Sequence, residues 1–339
     1  MVEWAAIGPM TRSRRDAEES VDDRQRRPPE FPPPWAVAWG DDRFGLWAEL
    51  AVNTVIQRMR WIEPGWFWMG SDDDERALLR DKEWERFAQG ESPRHRVKLT
   101  QGFWLADTAC TQALWLTVVG GQNPSHFSDD PELPVEQVSF DDVQGFLQHL
   151  LGAFTEGCQA DLPTEAEWEY ACRAGTDTAF AFGATVTPQQ VNYDGNYPYG
   201  DAAKGLYRER TVPVKALPAN RWGLHQMHGN VWEWCDDEMR NYTETAVADG
   251  FVLDPAAQPG SGPEAHRAVR GGSWIAHAGY ARSAYRDHGQ RDDRFRGLGF
   301  RFALRSTSPV LAEPGPEGQV LLSGPEGQML GSGPEGRQV

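Results

Sequence analysis

The sequence predicts one α+β domain with few helices, short sheets and much irregular loop, set between two extensions that bury little apolar surface. Three observations lead there. Forty per cent hydrophobic residues and 15 Trp supply a sizeable core, while 35 Gly and 24 Pro punctuate elements rather than extend them. Only two segments show a capped amphipathic helical pattern. Most other apolar runs are short and bounded by turn residues, as in strands joined by loops.

Along the chain, residues 1 to about 34 are charged and then Pro-rich ("RQRRPPEFPPPW"), a flexible arm ending in a stiff extended segment. From Trp35 to Arg60, Trp residues mix with an amphipathic run that reads as a short strand or turn, followed in either case by a helix. The lead-in is therefore set at 1–56 and the compact domain at 57–305. "RHRVKLTQGFWLAD" and "NVWEWCDD" read as short strands and loops, and Trp66, Trp68, Trp104 and Trp115 as core. In "VSFDDVQGFLQHLLGAF" (138–154), a Ser and two Asp precede apolar residues at helical spacing, which predicts an N-capped helix. In "LPTEAEWEYACRAG" (162–175), Thr164 caps, Glu167 completes a capping box and Gly175 ends the helix. The segment 306–339 repeats "GPEGQ" from Gly315 and Gly324 and "GPEGR" from Gly333, the composition of a disordered tail.

A net charge of -17 repels phosphate backbones, so nucleic acid is not an expected partner. Cys110, Cys158, Cys172 and Cys235 form no CxxC pair, which points to free thiols rather than a zinc site or a disulfide framework. No apolar stretch reaches the length of a membrane span, and the N-terminus lacks an apolar leader core. The expectation is a soluble, cytoplasmic protein.

The blocks "RMRWIEPGWFWMGS", "HRVKLTQGFWLADTACTQALW", "NPSHF", "PVEQVSFDDVQGFL", "LPTEAEWEYACRAGT", "VNYDGN", "NRWGLHQMHGNVWEW", "RAVRGGSW" and "GLGFRFAL" occur in the order seen in the formylglycine-generating sulfatase-modifying domain. The sequence resembles that family over about residues 57–305. The resemblance implies a C-type-lectin-like fold with few helices and much irregular chain. Enzymes of that family oxidise a sulfatase cysteine with copper held by two cysteines after "GGSW". Soft thiolates suit copper(I), and the matching positions here are Ala276 and Ala281, so no copper is expected. The related sulfoxide synthases add an iron-binding helical domain with histidines, and no spaced His pair precedes the domain here.

The family's structural calcium sites use hard oxygen ligands. Glu233 and the carbonyls of Gly229 and Val231 match one site, with Gln226 where Asn or Asp is expected. Asn192 and the Tyr193 carbonyl match part of another, whose acidic partner position falls near Leu206. Calcium ligation and plain loop hydrogen bonding both fit Asn192 and Glu233 at this point.

The stretch from Arg267 to Leu304 interleaves an orderly frame with an arbitrary filling. The frame is Arg270, Gly271, Gly272, Ser273, Trp274, Arg282, Ser283, Arg286, Arg294, Gly299, Phe300 and Arg301. This division is similar to the variable proteins of diversity-generating retroelements, in which copying errors at template adenines change Asn codons to others but never to Lys, Glu, Gln, Met or Trp. The positions expected to vary are Ile275, Ala276, His277, Gly279, Tyr280, Tyr285, Asp287, His288, Gly289, Asp293, Phe295, Arg296 and Gly297, and none holds a forbidden residue. Glycines permit tight backbone, Trp274 and Phe300 bury area and the arginines fix loops by forked hydrogen bonds, so exposed side chains can change without unfolding. Tyr280, Tyr285 and Phe295 are expected on that surface, and His277 and His288 as ordinary surface histidines rather than a catalytic pair.

These readings converge on a non-enzymatic domain that recognises an unassigned ligand, of protein class, through diversified loop residues. The alternatives are an enzyme related to the oxidases or sulfoxide synthases with altered, copper-free chemistry, and a scaffold acting through its terminal arms.

Overall fold

The computed structural model describes residues 26–79, 89–152, 157–242, 251–253 and 266–307. All lie within the first of two compact units, Met1–Ser308. The arm up to residue 25 and the GPEGQ-repeat tail lie outside the described residues.

Three sheets carry the fold. The first is formed by β1 (Ala36–Asp42), β2 (Gly45–Val52), β3 (Val55–Ile62), β6 (Phe103–Ala106), β13 (Ala303–Ser306) and β7 (Cys158–Asp161), six strands in that spatial order. A three-stranded sheet joins β4 (Gly65–Met69), β5 (His95–Leu99) and β9 (Phe251–Leu253). The third places β11 (Asp287–Gly289), β10 (Arg267–Arg270), β8 (Trp232–Glu238) and β12 (Leu298–Gly299) side by side. Helices are few: α1 (Asp73–Ala77), α2 (Gln112–Val119), α3 (Phe140–Leu151) and α4 (Glu165–Arg173) among the described residues.

The expected domain start at Gln57 is corrected by the first sheet. β2 pairs with β3 in continuous antiparallel register from Trp47↔Arg60 to Val52↔Val55, and β1 pairs with β2. The run from Trp35 to Arg60 therefore forms strands and no helix. Its alternation explains this: Ala48, Leu50 and Val52 enter the core while Trp47, Glu49 and Ala51 stay part-exposed. Asp42 accepts from the Phe44 N–H, and Gly45 at φ 94° and Asn53 at φ 53° allow the two tight reversals.

The two expected helices form with the expected caps. Ser139 and Asp142 make a reciprocal capping box at α3, and Thr164 and Glu167 do so at α4. α4 ends through Ala174 in the left-handed region followed by Gly175 at φ 79°. α2, capped by Thr111, covers the first sheet and stacks Trp115 on Phe146 of α3 at 5.5 Å. Trp104 and Trp115 are core, as expected. Trp66 and Trp68 are not: they stand part-exposed on β4, with Arg96 4.5 Å from the Trp66 ring centre and Arg94 5.5 Å from that of Trp68.

The C-terminal segment threads the molecule's centre. β13 lies between β6 and β7, and Phe300 and Phe302 are fully buried in the main core. Frame arginines fasten this segment from inside. Arg282 forks onto Glu91 at 2.6 and 2.8 Å and also reaches Glu75 at 2.7 Å. Arg286 grips Glu165 of α4 at 2.6 and 2.7 Å, and Arg301 grips Glu233 of β8 at 2.7 and 2.8 Å. Arg270 pairs with Glu169 and donates to the Ser283 carbonyl at 3.0 Å. All of these groups are buried.

Removing one member of such a pair strands a charge in low dielectric. Arg282→Met is expected to lower unfolding free energy by about 3–5 kcal/mol, whereas Arg291→Met, which breaks the exposed pair with Asp141, should cost under about 1 kcal/mol. Urea midpoints decide it; similar small shifts for both would show that the buried lattice is not what fixes the C-terminal segment.

Candidate ligand-binding surface

After β10 the chain turns sharply at Gly271 (φ 96°) and Gly272 (φ 72°), where an added Cβ would stand 3.0 Å from the Tyr280 carbonyl. The loop that follows is sewn to its neighbours by backbone hydrogen bonds. Trp274 N–H donates to the Asn230 carbonyl at 3.0 Å, Asp194 N–H to the Ala276 carbonyl at 2.9 Å and Ala278 N–H to the Tyr197 carbonyl at 3.1 Å. The His277 ring stacks on Tyr197 at 3.9 Å. Farther on, the Trp274 indole N–H donates to the Arg296 carbonyl at 2.7 Å, which ties the loop to residues 295–297.

This arrangement sorts the positions expected to vary. Ile275 (45% exposed), Phe295 (42%), His288 and Arg296 point to solvent, and His277, Tyr280, Asp287 and Asp293 are half-buried. Tyr197 (51%) and Leu206 (55%), outside the variable stretch, add exposed apolar surface, and Tyr197 does so directly against His277.

Ala276, Gly279, Tyr285, Gly289 and Gly297 are buried, which corrects their expected place on the surface. Tyr285 is core: its ring meets Trp232 at 5.8 Å and Tyr280 at 4.9 Å. A Cβ at Gly289 would lie 2.7 Å from the Trp234 ring, and one at Gly297 would lie 3.1 Å from the Ser273 hydroxyl. His277 and His288 do not form a pair; His288 stacks instead on His266 at 4.7 Å.

The residues matched to calcium ligation are built into the scaffold. Both Glu233 carboxylate oxygens accept from Arg301, and one also accepts from the Trp168 indole N–H at 2.8 Å. Asn192 donates to the Arg210 carbonyl and to Asn230, both at 3.0 Å, and keeps a buried Oδ1 without a hydrogen-bond partner. Gln226 donates to the Pro213 carbonyl at 2.9 Å, the Gly229 carbonyl accepts from the Val231 N–H at 3.0 Å, and the buried Tyr193 hydroxyl donates to the Val186 carbonyl at 3.4 Å. Calcium needs a cage of free oxygens. At the site matched by Glu233 the one carboxylate is committed to Arg301 and is not free for a cation.

Comparison with known families matches residues 44–306 to the sulfatase-modifying factor enzyme 1-like domain. The chain belongs to that family. This sulfatase-modifying-factor-like chain is 35% identical over 203 residues to a formylglycine-generating enzyme of Streptomyces coelicolor, covering 56% of this chain and 60% of that one. It is 32% identical over 186 residues to the mouse protein named inactive C-alpha-formylglycine-generating enzyme 2, covering 52% and 51%. The chain thus spans well under two thirds of either relative, and the family holds members named as active and as inactive. Among solved structures, Treponema denticola variable protein 1 shares the fold, with a TM-score of 0.61 at 24% identity over 76% of this chain and 99% of that one.

Within this member of the sulfatase-modifying-factor family, Ala276 and Ala281 are buried and offer no side-chain donor atom. The buried thiols Cys110, Cys172 and Cys235 are all pushed up by burial, Cys172 to about 12, so none is a ready thiolate. Cys172 lies 3.6 Å from the ring of His228, a residue that sequence reasoning missed. His228 Nδ1 bonds the Ala281 carbonyl at 2.7 Å and Nε2 accepts the Ala181 N–H at 3.0 Å, so a neutral ring bridges two loops. Its only sequence signal is a lone His before "GNVWEW". Burial lowers this histidine from 6.5 to about 4.

A depressed histidine stabilises the fold above the ordinary histidine range, and that contribution is lost as pH falls from about 6.5 towards 4, because the unfolded chain takes up the proton first. Its loss should reach roughly 3 kcal/mol. His228→Asn should flatten stability against pH over this window; an unchanged slope would place the acid sensitivity elsewhere. Beneath the exposed face, Tyr285→Ala should cost about 3–5 kcal/mol, and Gly289→Ala about 1–3 kcal/mol. Phe295→Ala should remain within about 0.5 kcal/mol, and equal losses in all three would remove the distinction between floor and surface.

Proposed function

We propose that this domain is a non-enzymatic variable protein of a diversity-generating retroelement, recognising a protein ligand through residues displayed on a rigid scaffold. The observation that carries this reading is the coexistence, within one short segment, of buried ion-paired arginines and neighbouring exposed side chains. Arg282 and Arg286 are locked to Glu91 and Glu165, while Ile275, His288, Phe295 and Arg296 stand in solvent. A binding loop set on a rigid support can change its contacts without changing its fold. Apolar and aromatic groups such as Ile275, Phe295, Tyr197 and Tyr280 suit a protein surface, where they supply contact area at low entropic cost.

The enzymatic names of the relatives belong to those proteins. Turnover by copper would require thiolates where this chain has Ala276 and Ala281. The reading therefore assigns this chain the scaffold without the oxidase.

Three measurements test it. DNA beside the gene should contain a near-copy of codons 270–304 with Asn codons at the exposed positions and a reverse-transcriptase gene close by; a genome with neither ends the variable-protein reading. Purified chain incubated with copper, oxygen and a cysteine-containing sulfatase peptide should leave the peptide unchanged, and multiple turnovers would establish the enzymatic alternative. Simultaneous Ile275→Ala, His288→Ala, Phe295→Ala and Arg296→Ala should move Tm by less than roughly 4 °C, given that surface changes are each nearly neutral.

A further inference from the structure

Trp274 belongs to the frame and is buried, yet three other groups, two half-buried and one exposed, converge on its ring. Tyr207 lies nearly parallel to it, 18° between planes and 6.2 Å between centres, and Phe127 meets it edge-on at 5.4 Å. The guanidinium of Arg296 stands 5.4 Å from the ring centre. Aromatic faces attract cations through their quadrupoles, most strongly at indole.

A buried acid stands next to this group. Glu136 is fully buried, with one oxygen accepting the Phe127 N–H at 2.9 Å and the other without a hydrogen-bond partner. Burial raises the Glu136 carboxyl above the usual carboxylate range, and the charge of Arg296 acts against that. Arg210, 5.4 Å from the Phe127 ring centre, is already paired with Asp129. Among the described residues no carboxylate forms an ion pair with Arg296.

We infer that Trp274, Tyr207 and Phe127, backed by Glu136, form a fixed site for a guanidinium or alkylammonium group, which Arg296 fills in this chain and which the residue at 296 opens or closes. Trp274, Tyr207, Phe127 and Glu136 lie outside the set expected to vary, so the site persists whatever occupies that position. A small residue at 296 would leave it open to a cationic side chain of the ligand; arginine there offers its own charge outward instead. That 296 is a changing position rests on the proposed function. The site itself does not.

The test uses the full chain carrying Arg296→Ala, with methylguanidinium and tetramethylammonium as probes against sodium at equal ionic strength. The readout is the indole N–H resonance of Trp274, assigned by its loss in Trp274→Phe. Saturable shifts are expected in Arg296→Ala, at least about tenfold stronger in affinity than in the unsubstituted chain. Adding Glu136→Gln or Tyr207→Leu to Arg296→Ala should weaken them again. Since Arg296 is exposed, its substitution should keep the native melting temperature, and a folded Arg296→Ala protein without a saturable shift overturns the inference. Equal affinity in the unsubstituted chain would also overturn it, because Arg296 would not then fill the site. Absence of a template repeat in the DNA would sink the variable-protein reading and leave this result standing.

Discussion

The exposed face depends on guanidinium groups buried beneath it. Arg270, Arg282 and Arg286 draw their carboxylates from Glu75 of α1, Glu91 of the turn before β5, and Glu165 and Glu169 of α4. Arg173 pairs with Glu169 as well, so each sign is represented equally in the cluster. Desolvating such groups is unfavourable, and their attraction restores the balance only when the geometry is good and spare hydrogen-bonding sites are filled. Carbonyls fill most of them: Arg286 donates to Gly90, Arg282 to Gly279, and Arg173 to Gly70, while the Arg270 Nε has no hydrogen-bond partner. Burial raises Glu75 despite Arg282, whereas at Glu91 the forked contact from the same arginine overcomes burial and lowers it. Such contacts are directional, so they fix where the loop runs as well as that it is buried.

What could be read in the sequence was local. The caps of α3 and α4 involve residues three apart, and Ser139, Asp142, Thr164 and Glu167 do what their spacing predicts. The β1–β3 meander was ambiguous because Trp47 and Glu49 alternate with Ala48 and Leu50 over a run too short to separate the two periods. The frame arginines were legible as loop fasteners. Their carboxylates were not, since Glu91 precedes Arg282 by 191 residues and Glu165 precedes Arg286 by 121. Glu233 illustrates the same limit from the other side: the motif suited a cation, and Arg301, 68 residues on, supplies the positive charge.

Family membership fixes the architecture and leaves the chemistry to particular side chains. His228 holds the Ala281 carbonyl and the Ala181 N–H, giving this segment a structural role that requires a neutral imidazole. Cys172 beside it has the wrong environment for a nucleophile, because burial holds its proton in place. A Cys–His contact in such a setting is packing, and reading it as a reactive dyad would ignore that both ring nitrogens are already committed.

Burial also sets how much diversity the segment can carry. Interleaving of frame and filling suggests that every filling residue is free, but Tyr285 closes the core against Trp232, and Gly289 leaves room for Trp234. Freedom at a position therefore depends on which neighbour its Cβ would meet. The loop bearing Ile275 and His277 is held by backbone bonds from Asp194 and to Tyr197, and these persist whatever side chains it carries. On the proposed variable-protein reading, contact chemistry is the principal property that changes at Ile275, Phe295 and Arg296, with Tyr197, Tyr207 and Trp274 as their fixed neighbours. A ligand held on such a surface would meet both the loop side chains and the aromatics packed against them.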